Sequence, residues 1–560
     1  MKKLFPFLKP YRLQLTVGPF FKLSEAVLEL LIPTLMALLI DNGVNMGNRS
    51  YIIKMGILML VIATFGVIFA FICQYSASIA SQGFGTDVRN AMFKKIGTLS
   101  FAQLDKFGTP SLINRITGDV TQLQSAVAML IRLVIRAPFL CVGGLVMAIM
   151  IDLKLSIIFM IVIPLFILVL FLVMFKAVPL YKSVQKKLDS LTLVLRENLS
   201  GVRVIRAFAG VKREKERFKD RNTYYANTAI RVGKIAALTN PLTTIIMNLA
   251  AIAVIYFGGI RVNTGHLSQG EVIAFINYIT QILNAMIVVA NLVVLYTKAY
   301  ASALRVGEVL ETEPLIEYGE KNTTQNGENA VEFKNVSLTY TGSKVPSVDN
   351  INLTIKKGET IGIIGGTGSG KSTLIGIILG LYKPTSGKVS VNADMTAIFQ
   401  DFARLQDLLK VNINMGDIFN EKNTEKMNSL LEQSFIDLGI FPLGLDTMLS
   451  KEYGGIDLSL GQWQKIALCR ALYKKADVVI FDEPTSSLDP LEEKRQFETA
   501  FKLLKDKTVI IITHRVGITN YADRILFMDD GKIVEEGTQE QLLNRRGKFY
   551  ELYDSQRKWY

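Results

Sequence analysis

A chain of 560 residues is long enough for at least two domains. Half its residues are hydrophobic, its mean hydropathy of +0.31 is high for a soluble protein, and its formal charge is +14, so the placement of the basic residues decides what that charge serves. Cys73, Cys141 and Cys469 are scattered with no CxxC spacing, which supports neither a disulfide framework nor a zinc site.

The amino terminus, MKKLFPFLKPYR, is basic, and no cleavable apolar core with a small-residue cut site follows it, so it reads as a retained cytosolic end. Crossing a bilayer as a helix takes about 20 apolar residues. Residues 55–73, 155–175, 235–260 and 272–297 contain no Asp, Glu, Lys or Arg. Residues 137–151 form a shorter uncharged core that needs part of 129–136, with Arg132 and Arg136, to span. Residues 16–41 make a first helix carrying Glu25 and Glu29. The expectation is six spanning helices.

Segments 74–128 and 176–234 hold five and fifteen Lys/Arg, against two, one and one in 42–54, 152–154 and 261–271. Excess Lys and Arg mark cytoplasmic loops. The two long segments and both termini are therefore expected in the cytosol, and the basic charge needs no nucleic acid. Helical patterning in 181–198 makes the long segments continuations of membrane helices. Glu25 and Glu29, four apart, share one helix face. A carboxylate in the bilayer is costly and tends to face an interior or an aqueous cavity. Two readings stand: a site for a cationic or polar substrate, or a pair wetted near the cytosolic end. Asn277, Asn284 and Asn291 recur every seven residues, beside Thr280 and Gln281, as either a cavity wall or a set of interhelical hydrogen bonds.

Residues 314–330 read as a polar linker, which divides the chain into 1–313, the linker, and 331–560. VEFKNVSLTY (331–340) reads as a strand. ETIGIIG (359–365) is a buried strand running into Gly365-Gly366-Thr367-Gly368-Ser369-Gly370-Lys371-Ser372, after which STLIGIILGLY opens a helix. Small residues let backbone N–H groups close around phosphates, and the lysine reaches the outer ones. VVIF (478–481) ends in Asp482-Glu483. A carboxylate at that strand end suits a magnesium-linked position, and the next suits a base that activates water. IIIT (510–513) ends in His514-Arg515, where the histidine could hold a γ-phosphate, whereas His266 sits in a short outer turn as an ordinary solvated residue.

With these motifs on one chain, the sequence resembles an ABC transporter half of the exporter type. The resemblance implies a membrane α-helical bundle of six transmembrane helices with long cytosolic extensions, followed by an α/β P-loop NTPase domain with a helical signature subdomain. By match, Gly365 to Thr373 is the Walker A loop, with Lys371 on the β/γ-phosphates and Ser372 on Mg²⁺. Gln400 matches the Q-loop glutamine linking Mg²⁺ and attacking water to the membrane half. Leu458 to Gln462 matches the signature, with Ser459, Gly461 and Gln462 on the ATP of the opposite subunit. Asp482 matches the Walker B aspartate, another Mg²⁺ position, and Glu483 the catalytic glutamate. Ser486 to Asp489 matches the D-loop, His514 the switch histidine, and Tyr340 the aromatic that stacks on adenine. Residues 101–120 and 196–210 resemble the exporter cytosolic loops, so the turns near 104–112 and 208–216 are expected to carry the stroke between the halves.

Three departures qualify the match. Leu460 stands where the signature usually has Gly, which implies a weakened signature and a non-identical partner in a heterodimer rather than a homodimer. The spacing from Lys371 to Gln400 implies a trimmed hairpin. FQDF and LSLGQWQKIAL look most like a branch handling peptides such as lantibiotics, whereas the membrane half looks more like multidrug exporters. The implied activity is ATP-driven export of an amphipathic small molecule, drug, lipid or peptide from a bacterial plasma membrane. The rivals are an importer on the same scaffold and a nucleotide-gated channel or sensor.

Overall fold

A computed structural model describes residues 2–313, 328–340, 342–418, 423–434, 436–483 and 490–558. The chain divides into two compact units: Met1–Ile96 with Pro110–Glu311, and Gly97–Thr109 with Thr312–Tyr560.

In the first unit, six helical spans are long and apolar enough to cross a membrane: Leu4–Val44, Arg49–Ile96, Thr109–Ile151, Leu153–Ser200, Val211–Asn263 and Gln269–Glu311. They contain 41 to 53 residues each. At 1.5 Å per residue such helices run roughly 60–80 Å, about twice a hydrocarbon core, so each continues beyond the bilayer as its periodicity implied. Outward-facing Ile57, Leu60, Phe65 and Phe71 of the second helix suit contact with lipid. The interior is built on Phe159, Phe166, Phe275, Tyr278 and Ile282, with Phe159 edge-on to Phe275 at 5.7 Å.

Polar groups inside this unit are matched across helices. Pro33 breaks the backbone ladder of the first helix. Next to that break the fully buried Tyr278 hydroxyl donates to Leu30 O at 2.8 Å and accepts from Thr34 Oγ1 at 2.7 Å. Tyr278→Phe is expected to cost roughly 1 kcal/mol, the usual scale for a hydrogen bond between membrane helices. Thermal unfolding in detergent checks this, and an unchanged midpoint would remove the tie from the account. Asp41 joins the first and sixth helices, accepting from Ser268 Oγ at 2.5 Å and Gly270 N at 2.9 Å. Asp152 pairs with Arg261. Near the cytosolic ends, buried Asp119 accepts from Arg305 Nε at 2.8 Å and from Ser302 Oγ at 2.9 Å.

The substrate-site reading of Glu25 and Glu29 needs correcting. Neither carboxylate is free for a cationic substrate: Lys22 Nζ lies 2.7 Å from Glu25, and Arg136 Nη2 lies 2.7 Å from Glu29. All four side chains are partly buried. The asparagine stripe is real, but Asn277, Asn284 and Asn291 are all exposed, and the one hydrogen bond among them is from Asn277 Nδ2 to Ile273 O of the same helix. Among the described residues it makes no hydrogen bond to another helix of this chain.

The second unit holds two sheets. β1 (Asn329–Leu338), β2 (Val348–Lys356) and β4 (Ser386–Val391) form an antiparallel sheet in the order β2-β1-β4. β3 (Thr360–Gly365), β5 (Met395–Ile398), β6 (Val478–Asp482), β7 (Thr508–Ile512), β8 (Arg524–Asp529) and β9 (Lys532–Gly537) form the other, ordered β5-β6-β7-β3-β8-β9. Every neighbouring pair there is parallel except β8 with β9. The continuous apolar runs of β6 and β7 are buried on every residue, as central parallel strands require. β1 starts at Asn329, so the last residues of the expected linker are strand; 314–327 lie outside the described residues. Helices Leu409–Asn414, Thr424–Gln433 and Leu460–Tyr473 pack around Ile413, Leu431, Trp463, Ile466 and Cys469 as a helical subdomain. Burial pushes the Cys469 thiol up to about 12, so it is a core residue rather than a nucleophile.

Candidate functional site

The parallel order places the carboxyl ends of β3, β6 and β7 side by side, and each end carries chemistry. β3 runs into the glycine loop, which turns into the helix Lys371–Ile378. Gly370, at the helix start, has φ +97°, and a Cβ there would meet Ser347 O. A Cβ on Gly365 would collide with Met528 O. Glycine is therefore required at both positions, and the loop lies against β8 and the β2 entry.

Lys371 is buried and donates to Gly365 O at 3.0 Å and Gly366 O at 2.9 Å. Burial lowers its pKa, against the pull of Glu483 and Asp482. Ser369 Oγ is buried without a hydrogen-bond partner among the described residues. A buried ammonium resting on two carbonyls, an orphaned hydroxyl and a helix start together make a cradle suited to an anion.

Asp482 ends β6, buried, with its pKa raised to about 6, first by burial and then by Glu483. A carboxylate so desolvated suits a divalent cation, which would restore its charge. Glu483 follows at φ +46°, in the left-handed region where a non-glycine residue is strained, and its N–H donates to Ile512 O of β7 at 3.0 Å. Its side chain is held from two sides: Gln400 Nε2 donates to Oε2 at 3.0 Å, and His514 Nε2 lies 2.5 Å from Oε1. Five positions singled out in the sequence, Lys371, Gln400, Asp482, Glu483 and His514, thus converge on one edge of one sheet.

Tyr340 lies next to the loop, its hydroxyl 3.0 Å from Thr373 Oγ1. Ser459 caps the helix Leu460–Tyr473 in a reciprocal capping box with Gln462, and Leu460 is 43% exposed, standing outward from that helix start. Gly461 is in its first turn. Ser486 to Asp489 lie outside the described residues.

Two further side chains were not singled out from the sequence. Gln556, near the carboxyl end, donates through Nε2 to His514 O at 2.5 Å and accepts at Oε1 from Val516 N at 3.0 Å. Tyr382 meets the Tyr340 ring edge-on at 5.3 Å, and its hydroxyl donates to Asp105 Oδ2 at 3.4 Å. Phe101 stands 6.3 Å from the Tyr382 ring, and Gln103 Nε2 donates to Glu313 O at 2.7 Å. Of the first expected stroke-carrying turn, residues up to Thr109 therefore belong to the same compact unit as the glycine loop, and those from Pro110 belong to the other. The second turn carries an exposed Phe208, and Ala209 at φ +51°.

A family model described as ABC transporter transmembrane region matches residues 15–286, and one described as ABC transporter matches 348–486. The chain is 32% identical over 570 residues to the uncharacterized ABC transporter ATP-binding protein YfiB of Bacillus subtilis, covering 99% of this chain and 98% of that protein. It is 30% identical over 504 residues to an ATP-dependent lipid A-core flippase of Syntrophus aciditrophicus, covering 86% and 83%. A lipid A-core flippase of Vibrio vulnificus is 26% identical over 573 residues, covering 99% and 97%. Six spanning helices and these bacterial relatives place the chain as a multi-pass inner-membrane protein with its ATPase domain in the cytosol.

Proposed function

The chain belongs to the ABC transporter family as an exporter-type half-transporter, and on that premise we propose that it hydrolyses ATP to export an amphipathic molecule. The observation that carries this reading is the convergence of Lys371, Gln400, Asp482, Glu483 and His514 in a chain with six spanning helices.

The loop amides and Lys371 hold the triphosphate, Lys371 exchanging its two carbonyl contacts for phosphate oxygens. Tyr340 stacks on the base. Mg²⁺, for which Ser372, Gln400 and Asp482 are the candidate ligands, supplies charge neutralisation at the phosphates. Glu483 takes a proton from water, held in place by Gln400 and His514, while His514 faces the outer phosphate. One chain carries one loop and one signature, so two halves complete each site: Ser459, Gly461 and Gln462 of a partner close over the nucleotide. Leu460 is the argument that this partner is a different chain. The exposed asparagine stripe then lines the shared cavity.

The test is ATP turnover by the purified chain in lipid nanodiscs, alone and with a co-expressed companion half. Magnesium-dependent hydrolysis in either preparation supports the reading, and none in both overturns it. Brisk turnover by the lone chain would make the pair self-associated instead of mixed.

Gln556 acts in this scheme as a positioning residue, fixing the backbone on both sides of Arg515. Gln556→Ala is expected to lower kcat about tenfold with KM for ATP within a factor of two. Equal losses in both parameters, or none, would reduce Gln556 to a packing contact.

A further inference from the structure

The last strands and helix of the ATPase unit reach both loops that face the phosphates. β8 and β9 are joined by the two residues Asp530 and Gly531, at φ +43° and +77°, as a tight hairpin turn demands. The tip of this turn lies against the glycine loop: Gly531 N donates to Ser369 O at 3.1 Å, and Gly531 O accepts from Asp349 N at 2.9 Å. A Cβ on Gly531 would stand 3.0 Å from Ser347 O, so the close approach needs glycine.

The same hairpin holds the start of the last helix, Lys548–Arg557. Glu535 of β9 accepts from Lys548 N at 2.5 Å and from Phe549 N at 3.3 Å, which satisfies two donors that a helix start leaves open. A Cβ on Gly547 would meet Glu535 Oε1, so this approach is also built on glycine. Phe549 is fully buried, in one cluster with Ile364, which immediately precedes Gly365, and Val516, two residues past His514. Roughly 10 Å further along the helix, Gln556 holds His514 O and Val516 N. One hairpin-and-helix unit therefore supports the glycine loop from its turn, packs beside both loops through Phe549, and clasps the His514 loop from its far end.

We propose that this unit ties the two loops together, with Glu535, Phe549 and Gln556 as its positioning residues, so that a nucleotide seated in the glycine loop orders the His514 loop before any outer phosphate touches it. The proposal rests on the nucleotide reading and deepens it, since it names how the two sides of that site are coordinated. Ordering one loop lowers the cost of ordering the other when a single element braces both.

The experiment measures amide hydrogen exchange on the full chain in nanodiscs, in peptides covering 365–373 and 513–518, with and without saturating ADP and magnesium. ADP lacks the outer phosphate, so it fills the glycine loop without reaching His514, and slower exchange at 513–518 must come through the protein. The expected result is exchange slowed about threefold or more in both peptides. Glu535→Ala and Gln556→Ala should each keep the slowing at 365–373 and lose it at 513–518, and Glu535→Gln, which keeps one acceptor, should retain part. A merely structural role would speed exchange at 513–518 with and without ADP alike and leave their ratio unchanged, which overturns the tie. A route through the paired strands β3 and β7, where Thr513 N donates to Ile363 O, would survive both alanine substitutions and overturn it too. Slowing at 365–373 with none at 513–518 in the parent chain sinks the tie alone. No slowing in either peptide would sink the nucleotide reading with it.

Discussion

Replacing Glu483 with glutamine is expected to slow ATP hydrolysis by about 10²–10⁴-fold, the usual contribution of a positioned general base. Affinity for ATP should stay within a few-fold of the parent. Glutamine preserves the volume and one acceptor oxygen, so the contact from Gln400 can persist while the proton-accepting charge is gone. The strained backbone at φ +46° is unchanged by the substitution, because glutamine and glutamate have the same demands there. The comparison is single-turnover hydrolysis against fluorescent-nucleotide binding. Unchanged turnover would place the base elsewhere. A collapse of both binding and turnover would show that Glu483 shapes the cradle instead of activating water.

Lys371→Met should lower both rate and affinity. Methionine fills the buried volume but cannot donate to Gly365 O and Gly366 O, or to phosphate oxygens in their stead. Losing one preorganised donor to a developing phosphoryl charge costs about 10²–10³-fold in rate, and nucleotide affinity should fall as well. The folded loop should survive, because its shape is set by Gly365 and Gly370 against Met528 and Ser347. Binding measured by nucleotide fluorescence, with circular dichroism as the fold check, separates the cases. Retained affinity with full turnover would remove Lys371 from the site.

What the sequence disclosed follows from how local each feature is. The glycine loop is contiguous, flanked by its strand and helix, so its residues and geometry could be read together. Asp482-Glu483 and His514 ended recognisable apolar strands, and the parallel order brought those ends together. The pairing of Glu29 with Arg136 joins residues 107 apart in the chain, and no periodicity announces it. Glu29 therefore looked like a bare carboxylate, whereas the partner of Glu25, Lys22, stands three residues before it and was within reach of the sequence. The seven-residue recurrence of Asn277, Asn284 and Asn291 gave a stripe but not the side it faces, because a helix pattern carries no information about its neighbours. Gln556 was silent for the same reason: it reaches His514 across 42 residues, and an isolated glutamine near a carboxyl end has no pattern. Tyr382 follows the loop helix closely enough to have been suspected, but only its contacts with Tyr340, Phe101 and Asp105 give it a role.

The most direct test is ATP-driven movement of fluorescent amphiphiles across proteoliposomes that hold the chain, with a companion half where one is needed. The account predicts movement that requires ATP and magnesium and that disappears with Glu483→Gln. Movement of equal size in the Glu483→Gln vesicles, or hydrolysis that moves no amphiphile of any charge, would contradict it.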